Sequence, residues 1–215
     1  KTFFEKKKNK PKYKKALAIR VILKSKSELN INEQNISLMM GSNSHIVLYP
    51  INKKKELNVV CIIRSKKYDP NNIKSLIEKT VLKQNPNLKI IFNNEITFWP
   101  LYFTPKILRS SNKKVFYIGD AFNGFLPTLA QGAGQSIESA YEIFNLLKED
   151  KLASANSYFE ERSKRAKIVR KRSNLNFFVF HFSSSFMQKI RNIFLKFLVK
   201  RSTFIEGYLG KVYKN

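Results

Sequence analysis

Short apolar runs, each the length of one strand, dominate the first hundred positions. Ala16-Leu17-Ala18-Ile19-Arg20-Val21-Ile22-Leu23, Ile36 to Met40, His45 to Pro50 and Leu57 to Arg64 are rich in residues that suit a pleated surface. Gly41-Ser42-Asn43-Ser44 and Asn52-Lys53-Lys54-Lys55 lie between them and read as turns. The close spacing predicts an antiparallel sheet of hairpins. Alternation along the third run places His45, Val47 and Tyr49 on one face. Asp69-Pro70-Asn71-Asn72 then opens a helix to about Leu82, with Ile73, Leu76, Ile77 and Val81 at helical spacing. A further strand is expected near Lys89 to Phe92.

The period changes after Val115. Val115-Phe116-Tyr117-Ile118 lacks polar alternation, as expected of a strand buried on both faces, and it ends at Gly119-Asp120. From Gln135 onward, Ile137, Ala140, Tyr141, Phe144 and Leu147 form the apolar face of a helix. A second helix is expected from about Ala153 to Arg172, with a basic face of Arg162, Lys164, Arg165, Lys167 and Arg170. Phe-rich helical patches follow near Phe177 to Phe182 and Ile190 to Val199. The fold class read from this pattern is mixed, α/β in the broad sense and α+β within this chain.

Composition narrows the function classes. A hydrophobic fraction of 43% with 18 Phe and 9 Tyr supports a folded core in a chain of 215 residues. The formal charge of +26 would suit nucleic acid or an anionic membrane. The lysines are scattered, however, and accompany an excess of Asn, Ile and Phe. Compositional bias therefore explains the charge, and no helix-turn-helix, zinc finger or ribonucleoprotein motif makes it specific for nucleic acid. The single cysteine, Cys61, sits in an apolar run and reads as a buried small hydrophobe. With only His45 and His181 beside it, neither a disulfide framework nor a zinc site can be built. A reducing, cytoplasmic setting fits, and no apolar run is long enough to span a bilayer. The chain opens with Lys1 and the polar run Glu5-Lys6-Lys7-Lys8-Asn9-Lys10-Pro11, so it reads as a fragment whose N-terminal portion is missing.

The stretch VFYIGDAFNGFLPTLAQGAGQSIESAYEIFNLL, Val115 to Leu147, holds four of the seven glycines. A carboxylate just past the carboxyl end of a buried strand lies where open α/β sheets bind ligands, and Asp120 is suited to accept sugar or polyol hydroxyls. Gly132-Ala133-Gly134 leaves backbone amides uncovered at a helix start, where unpaired donors and the dipole favour negative charge. The competing reading is that these glycines only shape turns. The dinucleotide fingerprint is absent, because the glycines come well after Ile118 and position 137 is Ile.

Gly119-Asp120-Ala121, Leu126-Pro127, Leu129-Ala130-Gln131-Gly132-Ala133-Gly134-Gln135 and Ile137-Glu138 together resemble the second flavin-binding motif of FAD-dependent aromatic hydroxylases, class A flavoprotein monooxygenases of the salicylate hydroxylase-like group. Weaker likeness extends over Tyr13, Ala18-Ile19-Arg20, Gly41 and the His45 to Pro50 strand, and over Trp99-Pro100-Leu101. It continues through Tyr158-Phe159-Glu160, Arg162, Arg165, Ser173, Asn176 and Tyr208-Leu209. The family's N-terminal Rossmann segment has no counterpart here.

The resemblance implies an antiparallel substrate-domain sheet over residues 1–108, a closing strand and helix of the FAD-binding domain over 109–150, and C-terminal helices over 151–215. It implies FAD as cofactor, NADH or NADPH as electron donor, and molecular oxygen and a small hydrophobic or aromatic substrate as partners. Asp120 would hydrogen-bond the ribityl chain, Gly119 would let the backbone approach, and Pro127 would line the flavin and substrate face. The amides of Gly132, Ala133 and Gly134 would sit against the pyrimidine end of the isoalloxazine. The oxygen chemistry would belong to a flavin hydroperoxide, and no catalytic side chain is assigned. His45 and Tyr49 are candidate substrate contacts, although a strand histidine hydrogen-bonded inside the domain accounts for His45 as well. Trp99 is expected to anchor core.

Phe122-Asn123-Gly124 departs from the family, which usually has Ala-His and then Pro; Ser139 replaces the usual Asp. A decayed, flavin-like basic binding module is therefore a second reading. A membrane-peripheral hydroxylase of a quinone or isoprenoid is a third, suggested by the basic, Phe-rich tail from Asn192 to Arg201. The expectation for that tail is a helix packed on the body.

Overall fold

The computed structural model describes residues 10–24, 35–54, 56–110, 115–148 and 155–210. The N-terminal run from Glu5 to Asn9, Lys55 of the second turn and the expected helix start at Ala153 lie outside them. The chain divides into two compact units, one centred on Tyr102–Phe177 and the other formed by Lys14–Leu101 with Phe178–Phe197.

The second unit is built on a five-stranded sheet. Its strands are β1 (Lys12–Leu23), β2 (Ser37–Met40), β3 (Ser44–Ile51), β4 (Glu56–Arg64) and β5 (Ile96–Phe103), in the order β2-β3-β4-β1-β5. β2 pairs antiparallel with β3, β3 with β4 and β4 with β1. The expected turns form as read: Gly41 N–H donates to Ser44 O at 2.8 Å, and Asn52 and Lys53 turn β3 into β4 with left-handed φ of 48° and 54°. β5 carries Pro100 in its interior, which the edge of a sheet tolerates because no partner needs that N–H.

One face of the sheet supplies Leu17, Ile19, Val21, Ile46, Leu48, Leu57, Val59, Cys61 and Ile63 to the main core. Ile73, Ile77, Val81 and Ile91 cover it. The covering segment is helical from Pro70 to Leu82: a 3-10 turn, α1 (Ile73–Ile77) and a π turn (Glu78–Leu82). Asp69 caps its start by accepting the Asn71 amide at 3.0 Å.

The strand expected at Lys89 to Phe92 is instead a helical turn, α2 (Lys89–Phe92), entered through the 3-10 turn Pro86–Leu88. The cause is local. The Asn85 side chain accepts the Asn87 amide at 3.2 Å, and Pro86 fixes the first φ, a repeat of the device at Asp69-Pro70. Trp99 does not anchor core; it stands 42% exposed on β5, while Ile96 and Phe98 turn inward.

In the other unit, Val115 to Ile118 is not a strand. It is extended but unpaired, with Ile118 exposed, because no neighbouring strand among the described residues offers it a ladder. It leads into α3 (Gly119–Phe122), a 3-10 turn at Pro127–Leu129, α4 (Gly132–Lys148) and α5 (Ala155–Phe180). Leu108, Tyr117, Phe122 and Ala166 form one cluster, Leu129 and Val169 another.

α6 (Ser185–Leu198) and α7 (Ser202–Ile205) follow. α6 does pack on the sheet unit, through the buried Arg191, which donates to Met40 O at 3.4 Å, but its apolar stripe does not face that contact. Phe186, Ile190, Ile193 and Phe197 recur down one side of it and, with Phe194, are exposed, Ile193 to 71%. No described helix is long and apolar enough to cross a membrane.

Candidate functional site

Gly119, Asp120, Pro127 and Gly132 to Gly134 all fall in the unit centred on Tyr102–Phe177. Gly119 is required where it stands. Its φ is +53°, and a β-carbon there would lie 2.5 Å from Ser136 Oγ. That hydroxyl in turn donates to Gly132 O at 2.8 Å, so the Gly119 turn and the start of α4 are tied through one serine. Asp120 is exposed in the single turn of α3, and Pro127 is exposed at the head of its own turn.

Gly132 poses the opposite case, because a β-carbon there would meet nothing within 4 Å and its φ is not left-handed. Glycine at a helical position costs roughly 0.5–1 kcal/mol relative to alanine. Nothing among the described residues recovers that cost, which fits a backbone kept bare for a bound group. The first α4 amide to find a backbone acceptor across the turn is Gln135, which donates to Gln131 O at 2.9 Å. The amides of Gly132, Ala133 and Gly134 therefore precede the ladder, as at any helix start. An anion or polarised carbonyl placed there gains both these donors and the helix dipole.

α4 is held to α5 by its polar side. Gln135 and Ser139 are buried, whereas Ile137, Tyr141, Phe144 and Leu147, the expected apolar face, are exposed. Arg162, itself buried, explains the inversion. Its guanidinium donates to Gln135 O at 3.0 Å, Gln135 Oε1 at 2.9 Å, Glu138 Oε2 at 2.9 Å and Glu142 Oε1 at 3.2 Å. Arg165 adds a bond to Glu138 Oε1 at 3.2 Å. Burial works to raise the Glu138 carboxyl, but the bonds from Arg165 and Arg162 outweigh it and hold it below the usual range. Burial prevails at Glu142 and raises it. The expected basic face of α5 is thus divided, with Arg162 turned inward and Lys164 and Lys167 outward.

Asn123, where the family usually has histidine, is fully buried. Its side-chain oxygen accepts from Arg170, which also donates to Pro105 O at 2.9 Å. Its Nδ2 has no hydrogen-bond partner among the described residues, an orphan donor worth about 1–3 kcal/mol if left unmet. Gly124 N–H donates to Thr104 Oγ1 at 2.9 Å, and a β-carbon at Gly124 would make only ordinary contacts. Asn176 and Tyr208, part of the weak likeness, brace the Pro127 turn. Asn176 Nδ2 donates to Thr128 O at 3.2 Å, and Tyr208 Oη donates to Asn176 at 2.7 Å.

His45 and Tyr49 lie in the other unit, on the sheet face turned away from the main core, as the alternation predicts. His45 is 2% exposed, and its Nδ1 lies 3.0 Å from Nε2 of His181, with Phe180 edge-on at 5.2 Å. Burial first, and His181 second, push His45 down to about 3, so the ring is neutral. Among the described residues no group of three metal-ligating side chains occurs.

The model of the squalene epoxidase family matches residues 5–211. The chain belongs to that family. Two curated relatives are 3-amino-4-hydroxybenzoate 2-monooxygenase PtnB3 of Streptomyces platensis and hispidin-3-hydroxylase of Neonothopanus nambi. PtnB3 is 27% identical over 163 residues, 71% of this chain and 41% of the relative. The hydroxylase is 28% identical over 107 residues, 47% of this chain and 24% of the relative. The chain thus spans less than half the length of either.

Klebsiella pneumoniae HpxO, solved with FAD and uric acid, superposes with a TM-score of 0.79 at 12% identity, covering 99% of this chain and 56% of HpxO. A salicylate hydroxylase substrate complex follows at 0.66 and 16%, covering 95% and 58%. These likenesses show the fold of flavin monooxygenases, mixed α/β with an antiparallel sheet. By name the relatives are oxidoreductases, and FAD is the cofactor bound in HpxO.

Proposed function

We propose that this chain is the sheet and flavin-closing portion of a FAD-dependent monooxygenase that uses NADH or NADPH to insert one atom of molecular oxygen into a small aromatic or related hydrophobic substrate. The observation that carries this reading is the bare start of α4, where three amides precede the helical ladder and no described residue requires glycine at position 132. The orphan Nδ2 of Asn123, four residues past Gly119, also calls for an acceptor beyond the described residues, which a bound cofactor would supply. Asp120 would take the ribityl hydroxyls, Gly119 and Pro127 would line the cofactor, and Gly132, Ala133 and Gly134 would receive the electron-rich end of its ring. Bound FAD supplies the electron transfer and oxygen activation. The protein's part is geometric and electrostatic: Arg162 and Glu138 hold α4, and Arg170 fixes the amide of Asn123. Tyr49 is the proposed substrate contact, because His45 is buried against His181, and a single buried thiol suits the cytoplasm.

The test is the absorbance spectrum of the protein purified from its full reading frame, followed by NAD(P)H oxidation with candidate substrates. Bound flavin with substrate-stimulated oxidation supports the reading. A colourless protein that takes up no FAD overturns it, and flavin without turnover favours the decayed module.

A second reading keeps the chemistry and moves it to a membrane surface, with a quinone or isoprenoid substrate. The exposed stripe of α6 favours it, because Lys189, Lys196, Lys200 and Arg201 flank that stripe and no carboxylate lies between His181 and Ile205. The family itself is named for an isoprenoid hydrocarbon. Flotation with anionic vesicles, lost in Phe194→Glu/Phe197→Glu, supports this reading; equal flotation of both proteins removes it.

A further inference from the structure

At the end of the sheet where β1 begins, β4 finishes and the β2–β3 turn crosses, a cavity of about 790 Å³ opens between these strands and the π turn that follows α1. Five cations line it: Lys15, Arg64, Lys66, Lys79 and Lys83. Among the described residues no carboxylate does. None of the five is engaged in an ion pair among the described residues.

The cavity is built rather than incidental. Lys15 and Asn43, both in its lining, hold left-handed φ of 56° and 57°; asparagine accepts this conformation readily, but for Lys15 it costs roughly 1–2 kcal/mol. The backbone keeps them there: Ser65 N–H donates to Lys15 O at 2.9 Å and Arg64 N–H to Asn43 O at 2.8 Å. Those bonds bring the two basic strand ends together. The opposite wall is pinned to the β2–β3 turn by one amide. Gln84 Oε1 accepts Ser42 N–H at 2.6 Å, and Gln84 Nε2 donates to Ser42 O at 3.0 Å. A β-carbon at Gly41 would lie 2.9 Å from that Oε1, so glycine permits the close approach. The wall carrying Lys79 and Thr80 is the π turn itself, a helical irregularity that recurs at functional sites.

Like charges so gathered oppose one another unless an anion joins them. Lys14, beside Lys15, is already held below the usual lysine range by burial and by Arg64. The neutral polar groups are largely occupied within the chain: Ser42 Oγ on Ser183 O, Ser65 Oγ on Lys67 O, and Gln84 on Ser42 and Thr80. The donors left for a ligand are therefore mainly cationic, one guanidinium fork and four point charges, with the Thr80 hydroxyl among them. That set matches a compound with several oxyanionic groups, and the volume lies in the range of small-molecule sites, roughly 300–1,000 Å³.

We propose that this cavity binds a small molecule carrying two or more phosphate groups. The site is separate from the flavin motif and does not depend on the monooxygenase reading. With a net charge of +26 the whole chain attracts anions, so the test must separate a site from a field. The full chain is titrated calorimetrically with inorganic pyrophosphate, and in parallel with NADPH and NADH. The expected result is one saturable site for pyrophosphate. Lys79→Glu/Lys83→Glu should weaken it by roughly tenfold or more, while Lys164→Glu/Lys167→Glu, the same change of charge on the outer face of α5, should leave it within about twofold. All four lysines are exposed, and circular dichroism confirms the fold of each variant. Equal weakening by the two pairs, or no saturable binding by the unaltered chain, overturns the proposal. Tighter binding of NADPH than of pyrophosphate or NADH assigns the site to a phosphorylated nucleotide; tighter binding of pyrophosphate assigns it to a free polyphosphate.

Discussion

Gly119 and Ser136 are locked against each other: the glycine turns at φ +53°, and the space its missing β-carbon would take lies 2.5 Å from the serine hydroxyl. Gly119→Ala should therefore destabilise the unit by about 1–2 kcal/mol from the left-handed backbone alone, with a further loss as Ser136 gives up its bond to Gly132 O. Adding Ser136→Ala should recover the steric part only. Urea unfolding measures both, and full rescue by the double variant would show that the backbone is not strained.

Gly132 should behave in the opposite sense. Gly132→Ala fills open space at a helix start and should stabilise the apoprotein by roughly 0.5–1 kcal/mol. The same methyl should weaken FAD binding if the backbone is bare for the cofactor's sake. Thermal melts of the apoprotein and a flavin titration read the two effects separately, and an unchanged flavin affinity would argue that this glycine has no ligand to serve.

Arg162→Met removes the charge that lets α4 bury its polar side. Breaking a fully buried ion pair costs about 3–5 kcal/mol; with Glu138 one-third exposed, a loss of about 2–3 kcal/mol is expected. Arg165→Met should cost less, because Glu138 keeps Arg162. Denaturant midpoints at equal slope decide the order.

The histidine pair makes the other unit sensitive to acid. His45 has a folded value of about 3 against an ordinary 6.5, so between those values the unfolded chain binds more protons than the folded one. Stability is complete above about pH 6.5 and is lost as the pH falls toward 3. The slope from this one group cannot exceed about 1.4 kcal/mol per pH unit. Above about pH 4.5 ordinary carboxylates contribute little, so His45→Gln should flatten the profile between pH 4.5 and 6.5. A profile unchanged by the substitution would mean that the pair takes up its proton without cost.

Much of the sheet was legible because its turns announce themselves. Gly41 to Ser44 and Asn52-Lys53 contain residue types that accept left-handed or tight conformations, and the apolar runs between them have the length of strands. The helical turn at Lys89 was also signalled, since Asn85-Pro86 repeats the Asp69-Pro70 cap, but the apolar run Ile90-Ile91-Phe92 outweighs that cue when read alone. The flavin-like loop was legible as an ordered string, although the strand expected before it depends on a neighbour that the described residues do not supply. The orientation of α4 was beyond reach. Its periodicity points Ile137 and Phe144 inward, and what reverses it is Arg162, 27 positions from Gln135, meeting groups whose need for a partner no periodicity records. Likewise nothing in the spacing of His45 and His181, 136 residues apart, foretold that they would share a bond.

Cys61 gives the sheet a built-in clock. It is the chain's only cysteine, fully buried at the middle of the central strand, and burial pushes its thiol far above the usual range. A thiol-specific dye can modify it only when β4 opens, so the labelling rate, free of any competing thiol, reports how often the sheet breathes.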